Sequence, residues 1–235
     1  MSGRSVTEFY GIGVGPGDPE LITLKAARLI AQLPVLAYPA PLEGESLARR
    51  IAAAHIPAGA IEIPIRMPMS PAHTPAFDAY DRAAQEIDAH LKAGRKVGVL
   101  CEGDPLLYGS FVYLLERLGD RHPATIVPGV SSMMACAALA RFPLATQDGS
   151  VALAPASLPE AELERRLAHA DSAVLFKVGR HLDTVARVLE RLGMAEGAVY
   201  VARAGQAGET ILPLAEARAR GGIYFAMVLA RKSAR

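Results

Sequence analysis

Thr7-Glu8-Phe9-Tyr10-Gly11-Ile12-Gly13-Val14-Gly15-Pro16-Gly17-Asp18-Pro19-Glu20-Leu21-Ile22-Thr23-Leu24-Lys25-Ala26 is a short apolar strand that runs into a Gly/Pro loop and then a helix. A loop of this make-up meets a ligand with its backbone. Glycine removes the Cβ that blocks close approach and permits positive φ. The spacing excludes two common nucleotide sites. A G-x-G-x-x-G fingerprint fails because Pro16 stands where Gly11 and Gly13 need their third glycine, and Asp18 stands where Gly13 and Gly15 need theirs. No Gly-Lys-Ser/Thr follows, so the loop is not a phosphate-cradling P-loop.

Working outward, the same strand–loop–helix grammar repeats. Strands are expected at Tyr10–Val14, Val35–Tyr38 (ended by Pro39 and Pro41), Ile61–Ile65, Val97–Cys101 and Thr125–Val127. Helices are expected at Leu21–Gln32, Ser46–Ala54 (capped by Ser46), Ala76–Ala93, Tyr108–Leu118 and Ser131–Ala140. Arg66–Pro75, with three prolines, reads as a long irregular loop of the kind that carries function. The pattern breaks at Arg141–Gly149 and then resumes to Tyr224–Ala230. This predicts α/β architecture with largely parallel sheets in two domains, 1–144 and 145–235.

The 235 residues are 51% hydrophobic, ample for buried cores, and 25 basic residues balance 24 acidic ones to a net charge of +1. That balance argues against nucleic acid as a partner. Cys101 and Cys136 lack metal-ligand spacing and fit a reducing cytoplasm. No metal site is expected. No basic-then-apolar leader is present, and Pro128-Gly129 and Ser131-Ser132 interrupt the best apolar stretch, so no membrane partner is expected.

Three strand ends in the first half lead into similar loops: Val14 into Gly15-Pro16-Gly17, Cys101 into Glu102-Gly103-Asp104-Pro105, and Val127 into Pro128-Gly129-Val130-Ser131-Ser132. In an open parallel sheet the carboxyl ends of the strands share one edge, where ligands bind. The three loops are therefore expected to rim one pocket.

Taken in order, Gly11-x-Gly13-x-Gly15-Pro16-Gly17-Asp18-Pro19-Glu20-Leu21-x-Thr23-Leu24-Lys25-Ala26, Gly103-Asp104-Pro105 and Pro128-Gly129-Val130-Ser131-Ser132 resemble the tetrapyrrole methylase family over essentially the whole chain. Cys101–Phe111, Phe176-Lys177-Val178-Gly179-Arg180 and Ile63-x-x-Arg66-Met67-Pro68-Met69 look like its C-20 methyltransferase branch, which acts on precorrin-2. The resemblance implies two α/β domains with S-adenosylmethionine in a cleft between them, S-adenosylhomocysteine as product, a tetrapyrrole substrate and a homodimer. It implies that Gly15 and Pro16 shape one wall. Glu102, Gly103 and Asp104 would contact the cofactor. Ser131 and Ser132 would hold its amino-acid end, and Lys177, Val178, Ala202 and Arg203 its adenosine side. The family often has Glu-Arg where this chain has Ala202-Arg203. Glu102 and Asp104 are candidate bases, with a role confined to shaping their loop as the competing reading. Arg66, His73 and Arg180 are chosen for substrate carboxylates. A cobalt-loaded substrate, another tetrapyrrole or RNA methylation, and a non-catalytic nucleotide-binding module stay open.

Overall fold

A computed structural model describes residues 9–67, 74–223 and 225–232. The chain divides into two compact units, Met1–Ser131 and Ser132–Arg235.

The first unit carries β1 (Phe9–Gly13), α1 (Leu24–Ile30), β2 (Val35–Pro41), α2 (Leu47–Ala52), β3 (Ile61–Met67), α3 (Thr74–Lys92), β4 (Val97–Cys101), α4 (Phe111–Leu118) and β5 (Ala124–Val127). The sheet order is β3-β2-β4-β1-β5, and every pairing is parallel. The fully apolar Val97–Cys101 sits in the middle and is wholly buried, as a two-sided strand must be. Alternation along the strands sends Val35, Ala37, Val97 and Val99 to one face with α3 and α4, and Leu36, Ile12 and Leu100 to the other with α1 and α2.

Local chemistry sets the boundaries. The Asp18 side chain caps a single turn, Pro19–Leu21, and Thr23 caps α1 by accepting from the Ala26 amide, so the one helix expected from Leu21 is two pieces. β2 runs past Tyr38, with Pro39 inside it and Pro41 as its last residue. The register with β4 stops at Ala37, so the two prolines break no ladder on that side. Tyr108 has φ 54 and lies outside α4, which starts at Phe111. His122 is buried, with Nε2 2.7 Å from Asp88 Oδ1.

The second unit carries α5 (Ser132–Leu139), β6 (Val151–Pro155), α6 (Glu160–Leu167), β7 (Ser172–Phe176), α7 (Leu182–Arg191), β8 (Val199–Ala202), β9 (Thr210–Pro213), α8 (Leu214–Arg220) and β10 (Ala226–Arg231). Its order is β6-β7-β10-β8-β9. Only β6 and β7 pair in parallel; the other three pairings are antiparallel, unlike the largely parallel sheet expected. The cause is the connection 203–209, which has no helix and so reverses the chain between β8 and β9. The crossover through α8 keeps that reversed direction for β10. Both units are α/β, as the sequence predicts. The division precedes the expected break at 144/145 because α5 packs on β10, and the Arg231 guanidinium lies 5.6 Å from the Phe142 ring centroid. Among the described residues no helix is long and apolar enough to cross a membrane.

Candidate active site

The carboxyl ends of β4, β1 and β5 are neighbours in the first sheet, so the three glycine loops leave it side by side. The loops after β1 and β4 are bonded to each other by backbone. The Val14 amide donates to the Cys101 carbonyl at 2.9 Å, the Gly103 amide to the Gly15 carbonyl at 2.8 Å, and the Gly15 amide to the Gly103 carbonyl at 3.4 Å. Gly15 and Gly103 have φ of 83° and 67°, the left-handed region that favours glycine. A Cβ on Gly129 would stand 2.1 Å from the Gly103 oxygen, and one on Gly13 would stand 2.5 Å from the Gly129 nitrogen. Bare backbone is therefore a packing requirement at this junction.

Asp104 completes it. Its Oδ1 accepts from the Leu106 amide at 2.9 Å within its own loop, and its Oδ2 accepts from the Gly129 amide at 3.1 Å in the next. The carboxylate is a brace between two loops. Pro16, in the first loop, is buried, and Glu102 is half-buried. Burial pushes the Glu102 carboxyl up, opposed by its own amide and that of Ala48. Burial also raises the Cys101 thiol, which is therefore no nucleophile at neutral pH.

Of the residues chosen from sequence, Gly15, Pro16, Glu102, Gly103 and Asp104 fall together here, with Ser131 ending the third loop and Ser132 opening α5. Arg66 lies at the carboxyl end of β3, along the same edge, with Nη1 donating to the Pro41 and Leu42 carbonyls at 2.9 and 3.2 Å. His73 lies outside the described residues.

In the second unit, Lys177 follows β7 and Arg203 follows β8, and both strands run antiparallel to the intervening β10, so both residues leave one edge. Each takes a left-handed backbone, φ 57 and 53, which a non-glycine residue adopts only when its surroundings over-determine it. The Arg203 amide donates to the Phe225 carbonyl at 2.9 Å. Val178 and Ala202 have side chains in the core, so what they offer a ligand is backbone. Arg180 is exposed, with Nε 3.4 Å from His181 Nε2. Burial, and then the Arg180 charge, push His181 below its ordinary value.

Sequence reasoning missed the second bond of Asp104 and a cluster of Tyr38, Arg49 and Glu62. Arg49 Nε and Nη2 donate to Glu62 Oε2 and Oε1 at 2.8 and 3.0 Å, and the Tyr38 hydroxyl donates to Oε2 at 2.7 Å. The signal was present in the Ser46 cap, which fixes where Arg49 stands on α2.

Residues 8–218 match the family model for Tetrapyrrole (Corrin/Porphyrin) Methylases. The chain belongs to this family. Among tetrapyrrole methylases it is 39% identical to a precorrin-2 C(20)-methyltransferase of Sinorhizobium sp over 97% of each chain. It is 34% identical to the cobalt-precorrin-2 C(20)-methyltransferase of Salmonella typhimurium over 86% of each. It is 40% identical to the cobalamin biosynthesis protein CobIJ of Mycobacterium tuberculosis, where 97% of this chain spans 46% of that protein. Its fold is like the X-ray structure of the cobalt precorrin-4 methyltransferase CbiF, with TM-score 0.78, 27% identity and 98% of each chain covered.

Proposed function

We propose that this tetrapyrrole methylase transfers a methyl group from S-adenosylmethionine to C-20 of precorrin-2. The observation that carries the reading is the three-loop glycine junction braced by Asp104, in a chain alike end to end to the Sinorhizobium enzyme. The residues fit the cofactor. It is a zwitterion plus a sulfonium, which calls for backbone donors and acceptors in a fixed wall. Gly15, Pro16, Gly103 and the Glu102 backbone would form that wall. Ser131 and Ser132 would take the carboxylate end, and Lys177, Val178, Ala202 and Arg203 the adenosine end. When bound, S-adenosylmethionine supplies a methyl already activated by its sulfonium and leaves as S-adenosylhomocysteine. The protein then has to align the carbon nucleophile with that methyl, and positioning of this kind supplies up to roughly 7–11 kcal/mol.

A proton must also leave C-20. Asp104 has both oxygens engaged by amides, which leaves Glu102 as the carboxyl nearer to that task. Its raised pKa means that the ionised, proton-accepting form is lost as pH falls through a value above the ordinary carboxyl range. Glu102→Gln is expected to lower turnover by about a hundredfold and to remove the acidic limb of the pH–rate profile. The affinity for S-adenosylhomocysteine, read by calorimetry, is expected to stay. Near-normal turnover with intact cofactor binding removes Glu102 as the base.

The deciding assay is anaerobic incubation with S-adenosylmethionine and enzymatically made precorrin-2, followed by mass spectrometry and carbon NMR of a labelled methyl. One methyl gained at C-20 supports the reading, and cofactor binding without transfer sends the assay to the cobalt-loaded substrate. That second substrate is favoured by the likeness to the Salmonella enzyme. We also propose a homodimer working in the cytoplasm, supported by the family resemblance and by two free, buried cysteines; sedimentation tests the dimer.

A further inference from the structure

We infer that a cavity at the carboxyl ends of β2 and β3 is a carboxylate subsite for one peripheral acid side chain of the substrate, held by Arg49 and Arg66, with Glu62 as the residue that positions Arg49. The inference rests on the methyl-transfer reading above and adds to it a second anchoring point for the macrocycle.

The cavity is about 250 Å³ and is lined by Tyr38, Ser46, Arg49, Arg66 and Glu45, among others. Its place in the fold is the first argument. Ala40 and Arg66 of its lining stand near the carboxyl ends of β2 and β3, and because every strand of this sheet is parallel those ends lie along the same edge as the glycine junction. Strands lie roughly 4.8 Å apart, so β2 and β3 stand roughly 10 and 14 Å from β1 along that edge. A flat macrocycle with a meso carbon at the junction carries its acid side chains outward on that scale.

The second argument is the chemistry of the wall. Arg66 Nη1 is fixed by two carbonyls, Pro41 and Leu42, and no carboxylate among the described residues pairs with it. Its guanidinium is therefore held in place by neutral acceptors. Arg49 is held by the fork of two bonds to Glu62, and the Tyr38 hydroxyl locks that carboxylate in turn. The third nitrogen of Arg49, Nη1, is 4.0 Å from Glu45 Oε1, too long for a hydrogen bond. Glu45 has a side chain 53% exposed, and it is the group that an incoming carboxylate displaces. A planar guanidinium oriented by a carboxylate behind it, with its outer nitrogen only loosely paired, is the arrangement that receives a carboxylate in front.

The test uses the full chain with S-adenosylmethionine and precorrin-2 under anaerobic conditions. Arg66→Gln and Arg49→Gln are each expected to raise the substrate KM about tenfold, with kcat and the S-adenosylhomocysteine dissociation constant unchanged. Glu62→Gln is expected to raise KM severalfold alone and to add nothing on the Arg49→Gln background, because it acts through Arg49. Glu62→Asp is expected to restore part of the loss. Arg66 is exposed, so its replacement also serves as the variant that folds irrespective of the Arg49–Glu62 bridge. An unmoved KM in both arginine variants overturns the subsite while leaving the methyl-transfer reading intact. A wild-type protein that binds S-adenosylhomocysteine and methylates neither precorrin-2 nor its cobalt form overturns that reading and the subsite with it.

Discussion

Gly129→Ala is expected to raise the dissociation constant for S-adenosylhomocysteine more than tenfold and to destabilise the protein by roughly 1–3 kcal/mol. The added Cβ would lie 2.1 Å from the Gly103 oxygen and 2.8 Å from Gly13 Cα. Both are backbone atoms of the neighbouring loops, so no side-chain rotation relieves the clash, and the loops after β4 and β1 must move. Gly13→Ala is expected to act alike, since its Cβ would meet the Gly129 nitrogen at 2.5 Å and the Gly103 oxygen at 2.6 Å. The comparison variant is Gly59→Ala. Gly59 has φ 90 and nothing within 4 Å of its Cβ position, so alanine there costs stability through the backbone alone. Calorimetric titration with S-adenosylhomocysteine, paired with thermal unfolding, separates the two classes. Affinity lost at Gly129 and Gly13 but kept at Gly59 ties the junction to the cofactor; equal affinity in all three takes the cofactor away from it.

This junction was half legible in the sequence. The Gly/Pro composition after three apolar strands, together with the parallel-sheet rule, placed Gly15, Gly103 and Gly129 on one edge, and the pairings of β1 with β4 and β5 put them there. What composition cannot convey is contact between loops distant in the chain. The bond from the Gly129 amide to Asp104 spans 25 residues, and nothing in the local sequence of either loop shows it. The second unit was less legible. The directions of its strands depend on whether the connection 203–209 forms a helix, and a seven-residue Gly/Ala-containing stretch does not announce a reversal. Lys177 and Arg203 show a further limit. Glycine advertises positive φ, whereas a lysine or arginine in that conformation is visible only once the fold imposes it. Tyr38, Arg49 and Glu62 escaped for the simplest reason: a tyrosine on a strand, an arginine on a helix and a glutamate on the next strand look unremarkable until the β2–β3 register sets Leu36 against Glu62.

Asp104 carries the other large effect, and its two substitutions distinguish a brace from a base. Removing the carboxylate in Asp104→Ala leaves the Leu106 and Gly129 amides without their acceptors, and each unsatisfied donor costs about 1–3 kcal/mol to the extent that water cannot replace the bond. The loops after β4 and β5 are then no longer tied, and S-adenosylhomocysteine affinity is expected to fall at least tenfold. Asp104→Asn keeps one oxygen that can accept from one amide and turns an NH₂ towards the other, where donor meets donor. A loss of affinity smaller than that of alanine is therefore expected, with kcat at saturating cofactor close to wild type. A base predicts the opposite pattern, because an amide cannot accept the proton: kcat collapses in the asparagine variant while affinity is untouched. Measured side by side by calorimetry and steady-state methyl transfer, the two outcomes do not overlap. The bond from Gly129 adds a coupling test. If Asp104 works by holding that amide, Asp104→Ala in the Gly129→Ala background adds less than the sum of the two losses, since the junction it braces has already been pushed apart.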